Sequence, residues 1–295
     1  MNVGIVGGGS IGLLFCAYLY EKCDNLTLYT RTIEQADMIM QNGLIMKRGN
    51  LSNHYPIQSC SIKEGVKQHN LVIIAVKQYH LDQIEDIIHS IPIQTPLMFL
   101  QNGMSHLPLL NRLPHDHIYL GIVEHGSQRI DLHSVMHTGK GLIKISHYKG
   151  DEKNLERITN QFSSSNFPIV IQRDWHEMLQ SKLVVNAMIN PLSAIFRVEN
   201  GQLIENPHFY KTLELLYQEI IRILSPKQPL VWWKSVIDIC QKTSSNRSSM
   251  LRDIENKRQT EVEGILGYLL HQSKLKNVDS PLIHFLYTAI KGLEQ

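Results

Sequence analysis

Lys182, Asn186 and Asn190 recur every fourth residue in SKLVVNAMINPLSAIF, 181–196. Each such step turns about 40° around an α-helix, so the three line one face. Leu183, Val184, Val185, Ala187, Met188, Ile189 and Leu192 make the rest of that stretch apolar. A helix apolar nearly all round belongs in an interior, where a lysine and two asparagines need partners or a polar cavity. A solvated stripe on a surface helix has the same spacing but a broader polar face. A protonated lysine facing a carbonyl stabilises the developing alkoxide and delivers a proton as hydride arrives. An unprotonated one would form a Schiff base instead. Pro191 follows Asn190 and predicts a kink that frees a carbonyl.

A second cluster lies in NRSSMLRDIENKRQTEVEGILGYL, 246–269. Ser248 and Ser249 read as caps of a helix starting at Met250. Glu261 follows across a helix break. From charge alone Glu261 stands level with Asp253, Glu255 and Glu263, which read as solvated surface charges.

The partner for such a lysine is indicated at the other end of the chain. NVGIVGGGSIGLLFCAYL, 2–19, reads as a short buried strand, a glycine turn and a helix. Gly7, Gly9 and Gly12 fit G-x-G-x-x-G, with Gly8, Ser10 and Ile11 completing the turn. The first glycine allows a tight turn, the second leaves room for a pyrophosphate, and the third lets helix and strand approach. The helix N-terminus offers free N–H groups to the phosphates. A bland glycine-rich turn would not need this strand-before, helix-after context. The second strand ends LYTRT, without the carboxylate that would hold an NAD ribose; Thr30 and Arg31 stand there. A guanidinium clamps a 2′-phosphate, so NADPH is expected over NADH. Glu34 is one turn late and reads as part of the next helix start. A nicotinamide cofactor selects the proton-donor role for Lys182.

The elements that must position these residues alternate in the first half. Strands are expected at 3–6, 26–30, 71–76, 96–103 and 118–125, with helices at 11–20, 33–42 and 81–90. LIMKRG and SNHYPIQSC predict a hairpin-rich stretch. Residues 134–146 predict two strands about the T-G-K-G turn as an antiparallel extension, and FPIVIQ a last strand. Alternation of this kind predicts an α/β protein, with an N-terminal Rossmann-type doubly wound parallel sheet. After Asp174 only helices are expected: 175–196, 207–223, 230–242, 258–275 and 281–293. The organisation read is a dinucleotide-binding domain at 1–173 and an all-α substrate and catalytic domain at 174–295, with the site in the cleft at the carboxyl ends of the strands.

Bulk properties narrow the classes. The 295 residues are 43% hydrophobic and 19% charged, enough for a sizeable core. A net charge of +2 does not argue for nucleic acid or an anionic membrane. HEMLQ, 176–180, has Gln180 where a zinc helix needs its second histidine, so no metal is expected. Cys16, Cys23, Cys60 and Cys240 are scattered and read as reduced thiols of a cytoplasmic protein. The N-terminal apolar run lacks a basic n-region and is broken by glycines, unlike a signal peptide. No apolar run reaches the length of a membrane span.

Taken together the motifs resemble the ketopantoate reductase family over nearly the whole chain. They are GGGSIG with Arg31, AVKQYH, LQNG, EHG, HTGKG, SKLVVNAMINPLSAI and NRSSMLRDIENKRQTEVE, in matching order and spacing. The resemblance implies NADPH-dependent reduction of ketopantoate to pantoate, on the route to pantothenate and coenzyme A. It implies Lys182 as general acid, Asn186 and Asn190 as substrate-binding residues, and Ser249 on the substrate carboxylate. Glu261 matches the acidic residue that helps hold substrate and lysine. Lys77 and Asn102 match residues of the cofactor cleft, near the phosphates and the nicotinamide ribose, and Glu124 falls near the nicotinamide. The sequence departs from the family where TEVEGILG places Glu263 and Leu266 instead of an aspartate and an asparagine-glycine pair. VEHGSQR also replaces a threonine-rich form. A small 2-oxo acid is the expected partner, and pairing as a homodimer stays open. A reductase of another 2-oxo acid and a non-catalytic NADP(H) sensor are the other readings.

Overall fold

β1 (Asn2–Val6) is buried from Val3 onward and leads through the glycine turn into α1 (Ser10–Leu19). A computed structural model of the chain describes residues 1–295. Its contacts separate two units: Met1–Gln101 with Pro108–Met178, and Asn102–Leu107 with Leu179–Gln295.

The first unit is built on an eight-stranded sheet. Its members in chain order are β1, β2 (Asn25–Thr30), β5 (Gln58–Ser61), β6 (Leu71–Ile74), β7 (Leu97–Phe99), β8 (Ile118–Val123), β11 (Ile143–Lys149) and β12 (Ile169–Ile171). They lie in the order β12-β11-β8-β7-β6-β1-β2-β5. The pairings are parallel except β8 with β11. The central strands are continuous apolar runs because helices cover both faces, as in β6, Leu71-Val-Ile-Ile74, buried throughout. Helices α2 (Ile33–Asn42), α3 (Glu85–Ser90), α4 (Leu107–Arg112) and α5 (Glu152–Phe162) complete this part. Thr32 caps α2 by accepting the Gln35 N–H, and Gly43 ends it with φ +67°.

A second sheet of four strands, β4-β3-β10-β9, uses β3 (Leu44–Arg48), β4 (Leu51–Tyr55), β9 (Gly126–Arg129) and β10 (Ser134–Gly139). The expected hairpin at β3 and β4 is present. The strands on either side of the T-G-K-G turn do not pair with each other, contrary to the sequence expectation. β10 pairs with β3 and β9, while β11 pairs with β8 and β12. Apolar alternation marks both as strands but carries no partner information. Phe15, Tyr18 and Phe167 join this layer to α1: Phe167 stacks on Tyr18 at 4.4 Å and meets Phe15 edge-on at 5.0 Å.

α6 (Trp175–Phe196) runs unbroken through Pro191. The second unit takes it from Leu179 and adds α7 (Gln202–Glu205), α8 (Pro207–Leu224), α9 (Pro229–Lys242), α10 (Ser249–Glu255), a π-helical turn at Glu263–Gly267, α11 (Tyr268–Lys276) and α12 (Pro281–Leu293). Asn206 caps α8, with Pro207 in its first turn. One expected helix is shorter at its start. The sequence predicts helix from residue 258, but regular structure resumes only after Glu261. Lys257 ends the preceding helix at φ +52°, and Thr260 is then held outside helical geometry. Its backbone N–H and hydroxyl both donate to Glu294, at 2.8 and 2.6 Å, and its Oγ1 accepts the Val262 N–H at 3.1 Å. No helix of the chain is long and apolar enough to cross a membrane.

Candidate active site

The glycine turn, Arg31, Lys77 and Glu124, expected on the dinucleotide, lie in the first unit after the carboxyl ends of its strands. Gly7 has φ +119°, and an added Cβ would stand 2.9 Å from the backbone of Ala75 and Val76. A Cβ at Gly12 would fall 1.8 Å from the Gly7 carbonyl oxygen, so only glycine lets α1 approach the turn. Gly9 differs: nothing lies within 4 Å of where its Cβ would be. It caps α1 without any side-chain hydrogen bond, and the first turn, Ser10-Ile11-Gly12, holds no acidic residue. An open face, unclaimed N–H groups and the positive end of a helix fit a pyrophosphate.

Local sequence does not mark Gln35 as part of this loop. It is buried, and its amide nitrogen donates to the carbonyls of Gly8 and Leu132, both at 2.8 Å. Arg129 donates to the same Gly8 carbonyl at 3.3 Å. These bonds turn the Gly8 carbonyl toward the protein. Gln101 has a similar part: its Nε2 donates to the carbonyls of Ile74 and Val76, each at 3.0 Å. It thereby fixes the chain between β6 and Lys77. The only sequence signal for either residue is an amide beside a motif already marked.

Arg31 follows β2 directly and is exposed. Its Nη1 lies 3.2 Å from Nε2 of His80, at the end of the 3₁₀ turn Gln78–His80 after β6. Burial first, and then the Arg31 charge, hold the His80 imidazole below its usual range. Glu124, at the end of β8, is ion-paired with Lys144 of β11 at 2.8 Å. Beside it His125 is buried and stacks on Phe167 at 5.0 Å. Burial, with the neighbouring His137 second, pushes its pKa down to about 4.

The remaining residues lie in the second unit. Lys182, Asn186 and Asn190 are on α6, Lys182 half-buried and the asparagines 7% and 9% exposed. Asn190 Nδ2 lies 3.5 Å from Ser249 Oγ, a long contact that still brings two expected substrate residues together. The caps divide the serine pair: Ser248 Oγ accepts the Leu251 N–H at 3.1 Å, while Ser249 is the first residue of α10 and exposed. Ser193 bonds Ser248 at 2.7 Å and the Asn190 carbonyl at 3.1 Å, tying α10 to α6. Asn102 follows β7 in sequence but belongs by contact to the helical unit. Its Nδ2 donates to Glu261 Oε2 at 3.0 Å, and Glu261 is 6% exposed. The contact is possible because Gly103, at φ +79°, lies against Gly264: a Cβ there would meet the Gly264 carbonyl oxygen at 2.0 Å. That carbonyl accepts the Met104 N–H at 3.3 Å, within the π-helical turn. Sequence reading takes QNG as a turn and does not connect it with Glu261.

Such a set, a lysine with amides, a hydroxyl and a carboxylate, suits a small oxygen-rich anion with a reactive carbonyl. Comparison with known proteins is decisive. The family model described as Ketopantoate reductase PanE/ApbA matches residues 3–150, and Ketopantoate reductase PanE/ApbA C terminal matches residues 174–294. The chain belongs to the ketopantoate reductase family. The 2-dehydropantoate 2-reductase of Bacillus subtilis (strain 168) is 39% identical over 297 residues, which span 100% of this chain and 98% of that protein. The crystal structure of probable 2-dehydropantoate 2-reductase panE from Bacillus subtilis superposes with a TM-score of 0.90 at 38% identity, covering 99% of this chain and 100% of that one. Two further structures share the fold at lower identity. D-mandelate dehydrogenase with NADH and anilino(oxo)acetate has a TM-score of 0.92 at 21% identity, covering 100% of this chain and 98% of its own. A dimeric ketopantoate reductase from Staphylococcus aureus has 0.83 at 20%, covering 100% and 99%. The family is one of oxidoreductases acting on 2-oxo acids, and its fold takes a nicotinamide cofactor, which the Gly7–Gly12 turn fits.

Proposed function

We propose that this chain is an NADPH-dependent reductase of 2-dehydropantoate, forming pantoate for pantothenate and coenzyme A biosynthesis. One observation carries the reading. The helical unit sets Lys182, Asn186 and Asn190 on one face of α6, with Asn190 against Ser249 and Asn102 on Glu261. Full-length identity of 39% to the Bacillus subtilis 2-dehydropantoate 2-reductase supports the substrate. Arg31 after β2, with no carboxylate at that place, supports NADPH over NADH. Lys77, Asn102 and Glu124 are read as the further cofactor-facing residues.

NADPH when bound supplies a hydride to C2 of the 2-oxo acid. Lys182, as ammonium, donates a hydrogen bond to the ketone oxygen and then transfers its proton to the alkoxide, so that ketone, hydride and proton become the hydroxyl. Ser249 holds the substrate carboxylate through its hydroxyl. Asn186 and Asn190 orient the carboxylate and the substrate hydroxyl with their amides. Glu261 accepts from Lys182 and from the substrate hydroxyl, with Asn102 fixing its Oε2. The departure at Glu263 and Leu266 favours one second reading, reduction of another 2-oxo acid by the same groups. Four unpaired cysteines support a cytoplasmic setting. The dimer described for the Staphylococcus aureus enzyme supports pairing as a homodimer, which sedimentation velocity checks.

The test is loss of NADPH absorbance near about 340 nm with purified protein and ketopantoate, beside an NADH control, with turnover expected at roughly 1–10³ s⁻¹. Fast oxidation of NADPH and slower oxidation of NADH meets the reading. Tight NADPH binding without turnover sinks the substrate, and a panel of 2-oxo acids then decides between the two readings.

A further inference from the structure

The Arg31–His80 contact has a chemical feature that the 2′-phosphate reading does not use. A guanidinium only donates hydrogen bonds. With Nη1 at 3.2 Å, Nε2 of His80 must therefore be the acceptor, and the ring hydrogen sits on Nδ1. Nδ1 is buried without a hydrogen-bond partner. His80 is thus a neutral imidazole whose lone pair faces the place where Arg31 would receive a phosphate. An anion arriving there meets one donor and one lone pair, and the lone pair repels it. A shift of the ring hydrogen from Nδ1 to Nε2 would make a donor but leave the ring neutral, and Nδ1 lacks a partner in either form. Gaining a proton makes the ring a donor that also carries a positive charge toward the phosphate.

The surroundings favour that response. The charged group acting on His80 is Arg31, from the end of β2. The Gln83 side chain acts on it in the sense that favours the protonated ring, and the Tyr79 ring packs against it at 4.6 Å. Arg31 is the charged group that acts on His80, and it opposes a second positive charge there until an anion arrives. A phosphate dianion between the two side chains reverses the balance. An opposite charge at hydrogen-bond distance raises an ionisable cation's pKa by about 1–3 units.

We propose that His80 is the second half of the 2′-phosphate clamp and takes up a proton from solvent onto Nε2 when NADP(H) binds. This rests on the reading of Arg31 as the 2′-phosphate ligand. The imidazolium then donates Nε2–H to one phosphate oxygen while Arg31 donates to others. NAD(H), with a 2′-hydroxyl in place of the phosphate, binds without that proton. Preference for the phosphorylated cofactor thereby depends on pH, with His80 as the specificity-determining residue.

Calorimetric titration of the full chain with NADP⁺ and with NAD⁺, near about pH 7.5 in two buffers of different ionisation enthalpy, counts the protons. The 2′-phosphate ionises near about 6 and contributes little there. The expected result is roughly half to one proton taken up per NADP⁺ and none per NAD⁺. The NADP⁺ Kd should rise about three- to tenfold from roughly pH 6.5 to 7.5, while that of NAD⁺ stays level. In His80→Gln, which keeps a donor amide but does not titrate, the uptake and the slope should vanish while NADP⁺ stays preferred. Equal proton uptake for NADP⁺ and NAD⁺, with NADP⁺ still bound tighter, overturns the role of His80 and leaves Arg31 standing. Equal affinity for the two dinucleotides removes the 2′-phosphate reading and the inference with it. The wild-type comparison alone decides, and the wild-type imidazole signals followed by NMR with and without NADP⁺ give a second reading of the same proton.

Discussion

At the scale of single residues, the proposed mechanism separates a group that reacts from groups that hold it. On that proposal Lys182→Ala removes the proton donor, so kcat should drop about 10²–10⁴-fold. NADPH affinity, read by fluorescence titration, should stay near wild type. Turnover close to wild type would sink the assignment of the acid. In the same proposal Asn102 acts one step back, through the bond it donates to Glu261 at 3.0 Å. A hydrogen bond to a charged partner contributes about 1.5–3 kcal/mol. Asn102→Ala should therefore lower kcat/KM roughly 10–100-fold in steady-state assays, and an unchanged value would mean that Glu261 holds its place without it.

At the scale of elements, backbone contacts decide where these side chains stand. Asn102 reaches Glu261 because Gly103 lies against Gly264 with no side chain between them. Gly103→Ala meets two obstacles, a left-handed φ of +79° and a Cβ 2.0 Å from the Gly264 oxygen. Strain and overpacking of this kind cost about 1–3 kcal/mol or more. The urea midpoint should fall and kcat/KM should drop together, since the substitution disturbs the Asn102 contact as well as the fold. A variant of normal stability and normal activity would show that the loop relocates freely. The π-helical turn at Glu263–Gly267 belongs to the same arrangement, because its Gly264 carbonyl is turned to accept the Met104 N–H.

For the molecule as a whole, buried histidines set the response to acid. His106 is 1% exposed, and neither ring nitrogen has a hydrogen-bond partner. Burial pushes its pKa down to about 4 from 6.5. His125 is likewise pushed down to about 4. For each, the unfolded chain binds the extra proton between those values. Their contribution to stability is complete above the unfolded pKa and is lost as pH falls toward the folded one. The urea midpoint should decline from pH 6.5 toward pH 4. His106→Leu should flatten that slope and raise stability at neutral pH by about 1 kcal/mol or more, because it removes two unpaired buried nitrogens. A slope unchanged in the variant would exclude His106 from the acid response.

Much of this protein was legible before any fold was built. The glycine turn, the buried β6 and the Lys182–Asn186–Asn190 face follow from local rules: glycine conformations, apolar runs and a helical period. Glu261 was singled out by resemblance, since its charge alone does not distinguish it from Asp253, Glu255 or Glu263. Other features depended on residues far apart in sequence. That β10 and β11 enter different sheets, that Gln35 holds the Gly8 carbonyl, that His80 meets Arg31 and that Asn102 meets Glu261 are contacts across 27 to 159 positions or choices among strand partners. Local pattern states which face of an element is apolar. It does not state which distant donor will satisfy a given carbonyl or carboxylate, because that choice is made by the packing of the whole chain.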